Sequence, residues 1–444
     1  METFFIRALQ LVMSLSLLVI IHEGGHFLFA RLFKTRVEKF CLFFDPWFTL
    51  FKWKPKHSET EYGIGWLPLG GYVKISGMID ESMDLEQMKQ PMQPWEFRAK
   101  PAWQRLLIMT GGVLFNFLLA LFIYSMILFA WGDSYVPVQK VPLGMDFNET
   151  TKAAGFRDGD ILLSADGKPL TRMNSDLLSA IVDARQVTVL RNGQEASVYI
   201  PDDMMDQLLA DSVRFAAFRY PFVVDSLSAN GAAMRAGLQR GDSITQLDGR
   251  HISFSDFDRE KMRRRQEKGA SHAMLLTYVR AGVTDTVTVV TDSLFNVGIY
   301  PVTLTSRLLP VIHTDYSFFA SFPAGIKLGV ETLMGYVSQM KYVFSKEGAK
   351  QLGGFGTIGS IFPATWDWHQ FWYMTAFLSI ILAFMNILPI PALDGGHVLF
   401  LLYEVITRRK PSDKFMERAQ MVGMALLVLL LVWANFNDVV RFFF

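Results

Sequence analysis

The sequence predicts a polytopic α-helical membrane protein with a membrane-associated β segment and a pair of repeated small domains. Three observations support this fold class. Hydrophobic residues make up 51% of the 444 positions while charged residues still make up 19%, a mixture typical of membrane spans combined with soluble domains. Four apolar stretches are long enough to cross a bilayer. One short stretch, Ala154–Gly167, recurs at Ala236–Gly249.

The four apolar stretches cover roughly residues 5–30, 106–131, 371–403 and 420–436, and each supplies the ~20 residues that a membrane-spanning helix needs. The third contains prolines and a glycine pair, so we expect it to begin as a helix, break near Leu388–Gly396 and resume. The N-terminus lacks the basic region and cleavage site of a signal peptide, which predicts an uncleaved first span.

Basic residues predict the orientation of the spans. Lysine and arginine cluster at 31–39, 98–105 and 408–418. By the positive-inside rule these connections are cytoplasmic, and the middle of the chain and both termini lie on the other side.

The middle of the chain contains the internal repeat. AGFRDGDILLSADG at Ala154–Gly167 and AGLQRGDSITQLDG at Ala236–Gly249 each indicate a helix closed by glycine, a tight turn, a strand and an Asp-Gly hairpin turn. The pattern resembles PDZ domains, which bind extended peptides or chain ends by adding a strand to a sheet edge. Folded spacers without ligands are the alternative. The predicted domains are a membrane domain at 1–132, PDZ-like domains at 133–218 and 219–306, and the second half of the membrane domain at 307–444.

Two further segments are less regular. EYGIGWLPLGGYVKISGM at Glu61–Met78 alternates in places and is rich in Gly, Ile and Tyr. It is either a β-hairpin on the cytoplasmic surface or a sheet that enters the membrane beside a functional site, where protein or a wet cavity has to cover its edge. Residues 324–348 have apolar residues at helical spacing. We expect a helix there that lies along the outer membrane surface or packs on the other domains.

The most specific chemical motif is HEGGH at His22–His26, inside the first apolar stretch. On a helix His22 and His26 share one face, which suits two of the three protein ligands of a catalytic zinc ion. Glu23 stands beside them and can exchange protons with a water molecule. Ionisable residues within a span are costly and therefore indicate function. A hydrogen-bonded polar cluster that packs helices together is the alternative.

A third zinc ligand has to lie at the same membrane depth. Asp394 in NILPIPALDGGH meets this requirement, because the broken helix and the glycines after it let the carboxylate turn inward. An aspartate that caps the restarted helix is the alternative. His397 as a fourth ligand would close the open coordination position, so we expect it to support the ligands or pack between helices.

Composition excludes other classes of function. Cys41 is the only cysteine, so the chain has no intrachain disulfide and no paired-cysteine metal site. The formal net charge is +1, which argues against nucleic-acid binding.

Together, HEGGH, NILPIPALDG and the PDZ-like pair resemble the site-2 protease family of intramembrane zinc metalloproteases, within it the bacterial regulator of sigma E protease type. The resemblance covers essentially the whole chain. It implies that Zn²⁺ is the cofactor, bound by His22, His26 and Asp394, that Glu23 is the catalytic acid/base, and that Glu61–Met78 is embedded in the membrane. It also implies three residues that hold the substrate near the zinc: Asn386, Pro391 and Asn116.

The chain departs from the family pattern in two places. Gly112 stands where the family often has proline, and GGFGTIGS at Gly353–Ser360 stands where the family has SGPVGI. These differences put the local loop geometry in doubt. No functional role is assigned to Gly353–Ser360.

The resemblance also implies a function. The protein would be an intramembrane endopeptidase that cleaves transmembrane segments of single-pass proteins, such as anti-sigma factors or remnant signal peptides, in regulated intramembrane proteolysis and the stress response. It would lie in the bacterial inner (cytoplasmic) membrane, with its PDZ-like domains outside the cytoplasm and its active site toward the cytoplasm. An upstream site-1-type protease would trim the substrate, and the PDZ-like pair would filter substrates by size or read the new chain end.

Two other functions stay open at this point. One is a membrane scaffold that captures chains through its PDZ-like domains and keeps a vestigial zinc site. The other is a membrane zinc hydrolase that acts on non-peptide substrates.

Overall fold

The structure is a computed structural model that describes residues 2–68, 70–78, 90–211, 214–303, 305–343 and 345–443. The chain forms two compact units, one of Met1–Gly132 with Asp315–Phe444 and one of Asp133–Thr314. Leu69 of the predicted β segment and residue 344 of the predicted amphipathic helix lie outside the described residues.

The first unit opens with a long helix, a small sheet and a second long helix. These elements are α1 (Glu2–Leu32), β1 (Val37–Leu42), β2 (Phe51–Trp53), β3 (Glu61–Ile64), β4 (Tyr72–Ile75) and α2 (Ala102–Trp131). The strands form one sheet in the order β2-β3-β1-β4, in which β3 is parallel and β4 antiparallel to β1.

One of the two alternatives for Glu61–Met78, a β-hairpin, is wrong. The segment supplies β3 and β4, but each pairs with β1, on its opposite edges. Val37 of β1 and Val73 of β4 are buried with Ala30 of α1 and Ile108 of α2 in one apolar core. The sheet is therefore packed against the first two long helices, and β4 forms one of its edges.

The second unit contains the repeat. Its first half comprises β5 (Asp133–Tyr135), β6 (Met145–Phe147), α3 (Glu149–Ala153), β7 (Ile161–Ala165), β8 (Lys168–Pro169), α4 (Ser175–Val182), β9 (Gln186–Arg191), β10 (Gln194–Tyr199), α5 (Met204–Asp211) and β11 (Ala216–Phe218). Its second half comprises β12 (Phe222–Leu227), α6 (Ala232–Arg235), β13 (Ser243–Leu247), β14 (Arg250–His251), α7 (Phe254–Gln266), β15 (Ala273–Arg280), β16 (Val283–Val290), β17 (Ile299–Pro301), α8 (Thr305–Leu308) and β18 (Ile312–Thr314). The main sheets run β10-β9-β7-β8 and β16-β15-β13-β12-β17.

The two copies of the repeat share their hydrogen bonds as well as their sequence. In the first copy, Arg191 donates to both carboxylate oxygens of Asp160, at 2.8 and 2.7 Å. In the second, Arg280 donates to both oxygens of Asp242, at 2.7 Å each. In each copy the same guanidinium also binds the carbonyl of the glycine that closes the preceding helix. The Gly-Asp of the motif therefore ties the turn to a neighbouring strand.

The C-terminal part of the first unit is helical. It comprises α9 (Phe318–Val343), α10 (Lys346–Gln351), α11 (Phe355–Ser360), α12 (Trp368–Ile387), α13 (Asp394–Thr407) and α14 (Asp413–Phe443). The third apolar stretch breaks as predicted, because α12 ends before the prolines and α13 begins at Asp394. Within the described residues, four helices are long and apolar enough to cross a membrane: α1, α2, α12 and α14.

The predicted amphipathic helix, α9, packs lengthwise on other helices of its unit. Gly325 lies against Ser125 of α2, and Gly329, one turn later, lies against Leu121, one turn earlier on α2. The two helices are therefore antiparallel, and their small residues let the backbones approach closely. Tyr336 extends the contact to Phe384 of α12.

Candidate metal centre

Two histidines of α1 begin the site. His22 and His26 lie one helical turn apart and are 8% and 7% exposed, and their Nε2 atoms are 3.2 Å apart. The Nδ1 atom of His26 lies 2.8 Å from the Ile108 carbonyl of α2. A carbonyl only accepts hydrogen bonds, so Nδ1 carries the proton and Nε2 presents a lone pair. This is the ring orientation that metal-binding histidines adopt.

The carboxylate of Asp394, the first residue of α13, completes a triangle with the two rings. Its Oδ2 lies 3.1 Å from Nε2 of His22 and 3.3 Å from Nε2 of His26. Oδ2 is buried and has no hydrogen bond of good geometry. Three lone-pair atoms that converge in this way repel one another unless a cation lies between them.

The dimensions of the triangle suit zinc. Ligands 2.0–2.1 Å from a tetrahedral zinc ion are roughly 3.3 Å apart, and the three separations here are 3.1–3.3 Å. Two imidazoles and one carboxylate are also a known ligand set for catalytic zinc, which keeps a fourth position open. The residues therefore fit the metal that the sequence predicts.

Asn116 of α2 supports His22. Its side chain is fully buried, and the amide lies 3.3 Å from Nδ1 of His22. If the amide is oriented with Oδ1 toward the ring, Oδ1 accepts a hydrogen bond from the Nδ1–H of His22. This gives a partner to an Asn116 oxygen that otherwise has none, and it leaves Nε2 of His22 free to bind a metal. Asn116 thus contacts the predicted ligand His22 through the Nδ1 atom of the ring, whereas the resemblance to the site-2 protease family implied a contact with the substrate.

Glycines let α1 and α2 approach closely enough to build the site. A Cβ on Gly25 would lie 2.3 Å from the Gly111 carbonyl oxygen, and a Cβ on Gly112 would lie 2.4 Å from Nε2 of His26. No side chain fits at either position. Gly112, which departs from the family pattern, is in direct contact with the predicted metal ligands.

A cavity of about 1000 Å³ adjoins the three ligands. Glu23 lines this cavity, and its carboxylate faces the backbone N–H of Val73 in β4. The strand Tyr72–Ile75 forms one wall, so a sheet edge and the predicted acid/base line the same space. The combination can bind an extended chain beside a proton-transferring carboxylate.

The remaining predicted residues fall into two groups. Asn386 lines the cavity and lies 3.4 Å from Nε2 of His22, and His397 lines the cavity as well. Pro391 lies in the loop at 388–393 that precedes Asp394, here called the ligand loop, and it packs against Gly396 of α13 and Gly423 of α14.

Sequence reasoning missed the residues that support the ligands. Besides Gly112, these are Gln420, whose side chain binds the backbone of the ligand loop, and the Arg105–Glu404 ion pair, which joins α2 to α13 at 2.5 Å with both side chains largely buried. A glutamine within an apolar span was a usable signal, since polar residues there face protein. The ion-pair partners lie too far apart in sequence for spacing to join them.

Comparison with known proteins agrees with this site. The sequence profile of peptidase family M50 matches residues 10–430. The chain is 28% identical to the regulator of sigma-E protease RseP of Salmonella typhimurium, with 97% of each chain covered. It is 26% identical to metalloprotease MmpA of Caulobacter vibrioides, covering 99% of this chain and 96% of that one. It is also 28% identical to a Vibrio cholerae protein whose name provisionally describes a zinc metalloprotease, with 97% of each chain covered. With its triangle of two histidines and an aspartate, this chain belongs to peptidase family M50.

Proposed function

We propose that this protein is an intramembrane zinc endopeptidase that cleaves the transmembrane segments of single-pass proteins. One observation carries the proposal. The lone-pair atoms of His22, His26 and Asp394 converge at 3.1–3.3 Å, and the two histidines and Glu23 belong to a helix long enough to cross a membrane. A metal-assisted hydrolase needs this constellation.

The side chains have distinct roles in this reaction. His22, His26 and Asp394 would hold the zinc ion, which would supply Lewis-acid polarisation of the scissile carbonyl. Glu23 takes a proton from the attacking water and later gives it to the leaving amine nitrogen. Ile108 and Asn116 orient the two imidazoles through their Nδ1 atoms, and Asn386 contributes its amide to the cavity wall.

The edge of the sheet explains how a helical substrate becomes cleavable. Every backbone group of a membrane-spanning helix is hydrogen-bonded internally, so a peptide bond is accessible only where the helix unwinds. Strand β4 pairs with β1 along one edge, and its residues line the cavity with Glu23. We infer that an unwound substrate segment adds to β4 as a further strand.

The exposed side chains of the sheet support a location within lipid. Trp47, Phe48 and Phe51, on β2 and the connection before it, are 91%, 55% and 58% exposed. Large aromatic side chains of this kind are stable at the membrane interface or in contact with lipid. This supports a membrane-embedded sheet at Glu61–Met78.

The repeated domains are proposed to be PDZ-like. A cavity of about 510 Å³ in the second half of the unit lies between α7, with Phe257, and strand β17, with Ile299. A groove between a helix and a strand can receive the end of an extended chain. We propose that the domains receive trimmed substrates, such as anti-sigma factors cut first by another protease or remnant signal peptides. A purely steric size filter is the alternative.

The proposed location is the bacterial inner membrane, with residues 133–314 outside the cytoplasm. The basic residues at 31–39, 98–105 and 408–418 support this orientation, since they mark three connections as cytoplasmic. Accessibility of single cysteines placed in these connections and in 133–314, in a Cys41→Ser background, tests it.

The function is tested with purified protein in detergent and a single-pass substrate trimmed on its outer side. Glu23→Gln is expected to bind as much zinc as the wild type and to lower cleavage at least a thousandfold, because the proton acceptor is lost. Glu331→Gln is the matched control, since Glu331 is half exposed on α9, and it is expected to cleave normally.

Other results would favour the other functions. Zinc bound by the wild type without cleavage of any trimmed substrate would favour the scaffold. Cleavage that survives in Glu23→Gln would remove the proposed role of that carboxylate. Mass spectrometry of the products identifies the broken bond and would reveal a non-peptide substrate.

A further inference from the structure

Few of the described side chains of the last helix are fully buried. Within the described part of α14, three residues are buried: Gln420, Gly423 and Asp438. Its apolar side chains are mostly exposed, among them Val422 at 68% and Leu429 at 70%, as expected of a helix that faces lipid. Polar residues in a span mark the faces that contact protein. Gln420 and Gly423 are three residues apart, so they lie on one face.

That face contacts the loop that carries a predicted zinc ligand. Gln420 is 5% exposed, and its Oε1 accepts a hydrogen bond of 3.4 Å from the backbone N–H of Ala392. A Cβ on Gly423 would lie 1.8 Å from the carbonyl oxygen of Pro391. The Pro391 carbonyl and the Ala392 N–H belong to the same peptide unit. One helix face therefore contacts both ends of a single peptide plane, two residues before Asp394.

The orientation of this peptide unit determines the type of the turn at residues 390–393. The Leu393 N–H bonds to the Ile390 carbonyl at 3.0 Å, which closes a β-turn with Pro391 at its second position.

 

Ala392 occupies the third position of this turn with a φ of +81°. A positive φ there defines a type II turn, which favours glycine, whereas a residue with a Cβ favours the type I turn. The two types differ by a flip of the 391–392 peptide unit. Alanine alone would therefore bias this turn toward type I, and some other contact has to hold it in type II.

We propose that Gln420 and Gly423 are positioning residues that hold the 391–392 peptide unit in the type II orientation and so place the Asp394 carboxylate against His22 and His26. In this orientation the Ala392 N–H donates to Oε1 of Gln420, and this hydrogen bond is lost when the peptide unit flips. Gly423 leaves room for the Pro391 carbonyl in the type II position. Gly395 and Gly396 close the loop from the other side, against the carbonyls of Leu388 and Ile390.

This inference rests on the proposed function, because it assumes that Asp394 binds zinc. It is tested on the full chain in detergent by zinc affinity, measured by chelator competition, and by the visible absorption spectrum of the Co²⁺-substituted protein. Gln420→Leu removes the acceptor and Gly423→Ala introduces the clash. Each is expected to weaken zinc binding about tenfold or more, as loss of a group that orients a metal ligand does, and to shift the Co²⁺ bands.

Two further variants separate positioning from general packing. Val422→Ala lies on the same helix but is exposed, and it is expected to match the wild type. Ala392→Gly in the Gln420→Leu background is expected to restore most of the zinc affinity, since glycine adopts a positive φ without steric cost. The same change is not expected to rescue Gly423→Ala, whose clash remains.

The outcomes are distinct. Wild-type zinc affinity and Co²⁺ spectrum in both Gln420→Leu and Gly423→Ala overturn the inference alone. So does a loss in Gln420→Leu that Ala392→Gly leaves uncorrected, because a folding defect does not depend on the turn type at residue 392. Gln420→Asn, which shortens the side chain but keeps it polar, replaces Gln420→Leu in the same comparison if the leucine variant does not fold. A wild-type protein that binds no zinc overturns the proposed function as well.

Discussion

At the scale of single residues, the two glycines of HEGGH are not equivalent. A Cβ on Gly24 meets no atom within 4 Å, whereas a Cβ on Gly25 would lie 2.3 Å from the Gly111 carbonyl oxygen. The motif gives no hint of this difference, because spacing alone shows which residues share the histidine face and not which face meets α2. The contact between α1 and α2 therefore requires glycine at position 25 but not at position 24.

Alanine at each position tests this directly. Gly24→Ala is expected to keep zinc binding and cleavage near the wild-type level, since alanine also favours a helix by about 1 kcal/mol over glycine. Gly25→Ala is expected to separate α1 from α2, displace His26 from the Ile108 carbonyl and abolish cleavage. Zinc content and cleavage are measured on both variants. Equal behaviour of the two would contradict the close packing of α1 on α2.

The sequence predicted the reacting residues better than their supports. His22, Glu23, His26 and Asp394 meet at one cavity, as chemistry and spacing led us to expect, although their roles are still predictions. Asn116 contacts Nδ1 of His22. Whether it faces the cavity or a histidine depends on how α2 is rotated about its axis, and an almost uniformly apolar helix gives no pattern from which to predict that rotation. On α14, the polar character of Gln420 was a usable signal, whereas nothing in the sequence marked Gly423 as a contact of the loop before Asp394.

At the scale of elements, the Arg105–Glu404 ion pair fixes α13 to α2. Its atoms are 2.5 Å apart, and the side chains are 9% and 13% exposed. Arg105→Met leaves Glu404 buried without its partner, which is expected to cost about 3–5 kcal/mol of stability and to lower the temperature of thermal inactivation in detergent. Adding Glu404→Leu is expected to recover much of the loss, because no charge is then left buried.

A double variant less stable than Arg105→Met would show that the pair does more than neutralise two buried charges. Arg36→Met is the control, since Arg36 and Glu59 form a longer and more exposed pair. Exposed pairs contribute little, so this change is expected to leave the inactivation temperature within the error of measurement.

The sequence predicted the order of the elements along the chain better than it predicted which strands pair with each other. The break in the third apolar stretch was expected from its prolines, and α12 and α13 flank it as predicted. The arrangement of β3 and β4 around β1 was not, because local alternation favours a hairpin, whereas pairing with β1 depends on residues that lie earlier in the chain. Helical spacing predicted α9, but it could not choose between the membrane surface and packing on α2.

At the scale of the whole molecule, the two units use apolar and charged groups differently. The first unit exposes large apolar side chains on the helices that are long enough to cross a membrane, as lipid requires. In the second unit, each repeat adds a buried aspartate paired with an arginine to its apolar core. Burial of Asp242 opposes its ionisation, but the hydrogen bonds from Arg280 and from the Gln239 N–H prevail and hold the pKa of this carboxyl below its usual value.

A pH dependence of the second unit follows from that lowered pKa. The stabilisation by ionised Asp242 is complete above the unfolded-state pKa, about 3.9, and is lost as pH falls through the lower folded-state value. Arg280→Met is expected to destabilise the second repeat by about 2 kcal/mol at pH 7. The difference from the wild type is expected to narrow as pH falls below about 4, because protonation of Asp242 removes the charge that Arg280 stabilises.

Hydrogen exchange of β13 and β15 in the full chain, followed from pH 7 to pH 3 with correction for intrinsic exchange rates, measures this effect. Arg240→Met is the control, because Arg240 is 74% exposed in its pair with Asp225, and a change below about 0.5 kcal/mol is expected. A gap between Arg280→Met and the wild type that stays constant down to pH 3 would contradict the role of Asp242.

The contact of α1 with α2 also restricts the routes by which a substrate can reach Glu23. Where Gly25 meets Gly111, the two backbones touch, so no polypeptide can pass between these helices at the depth of the histidines. The cavity is also lined by Tyr72 of β4 and Met424 of α14. A chain diffusing in the plane of the bilayer therefore has to reach Glu23 by a route other than the seam between α1 and α2.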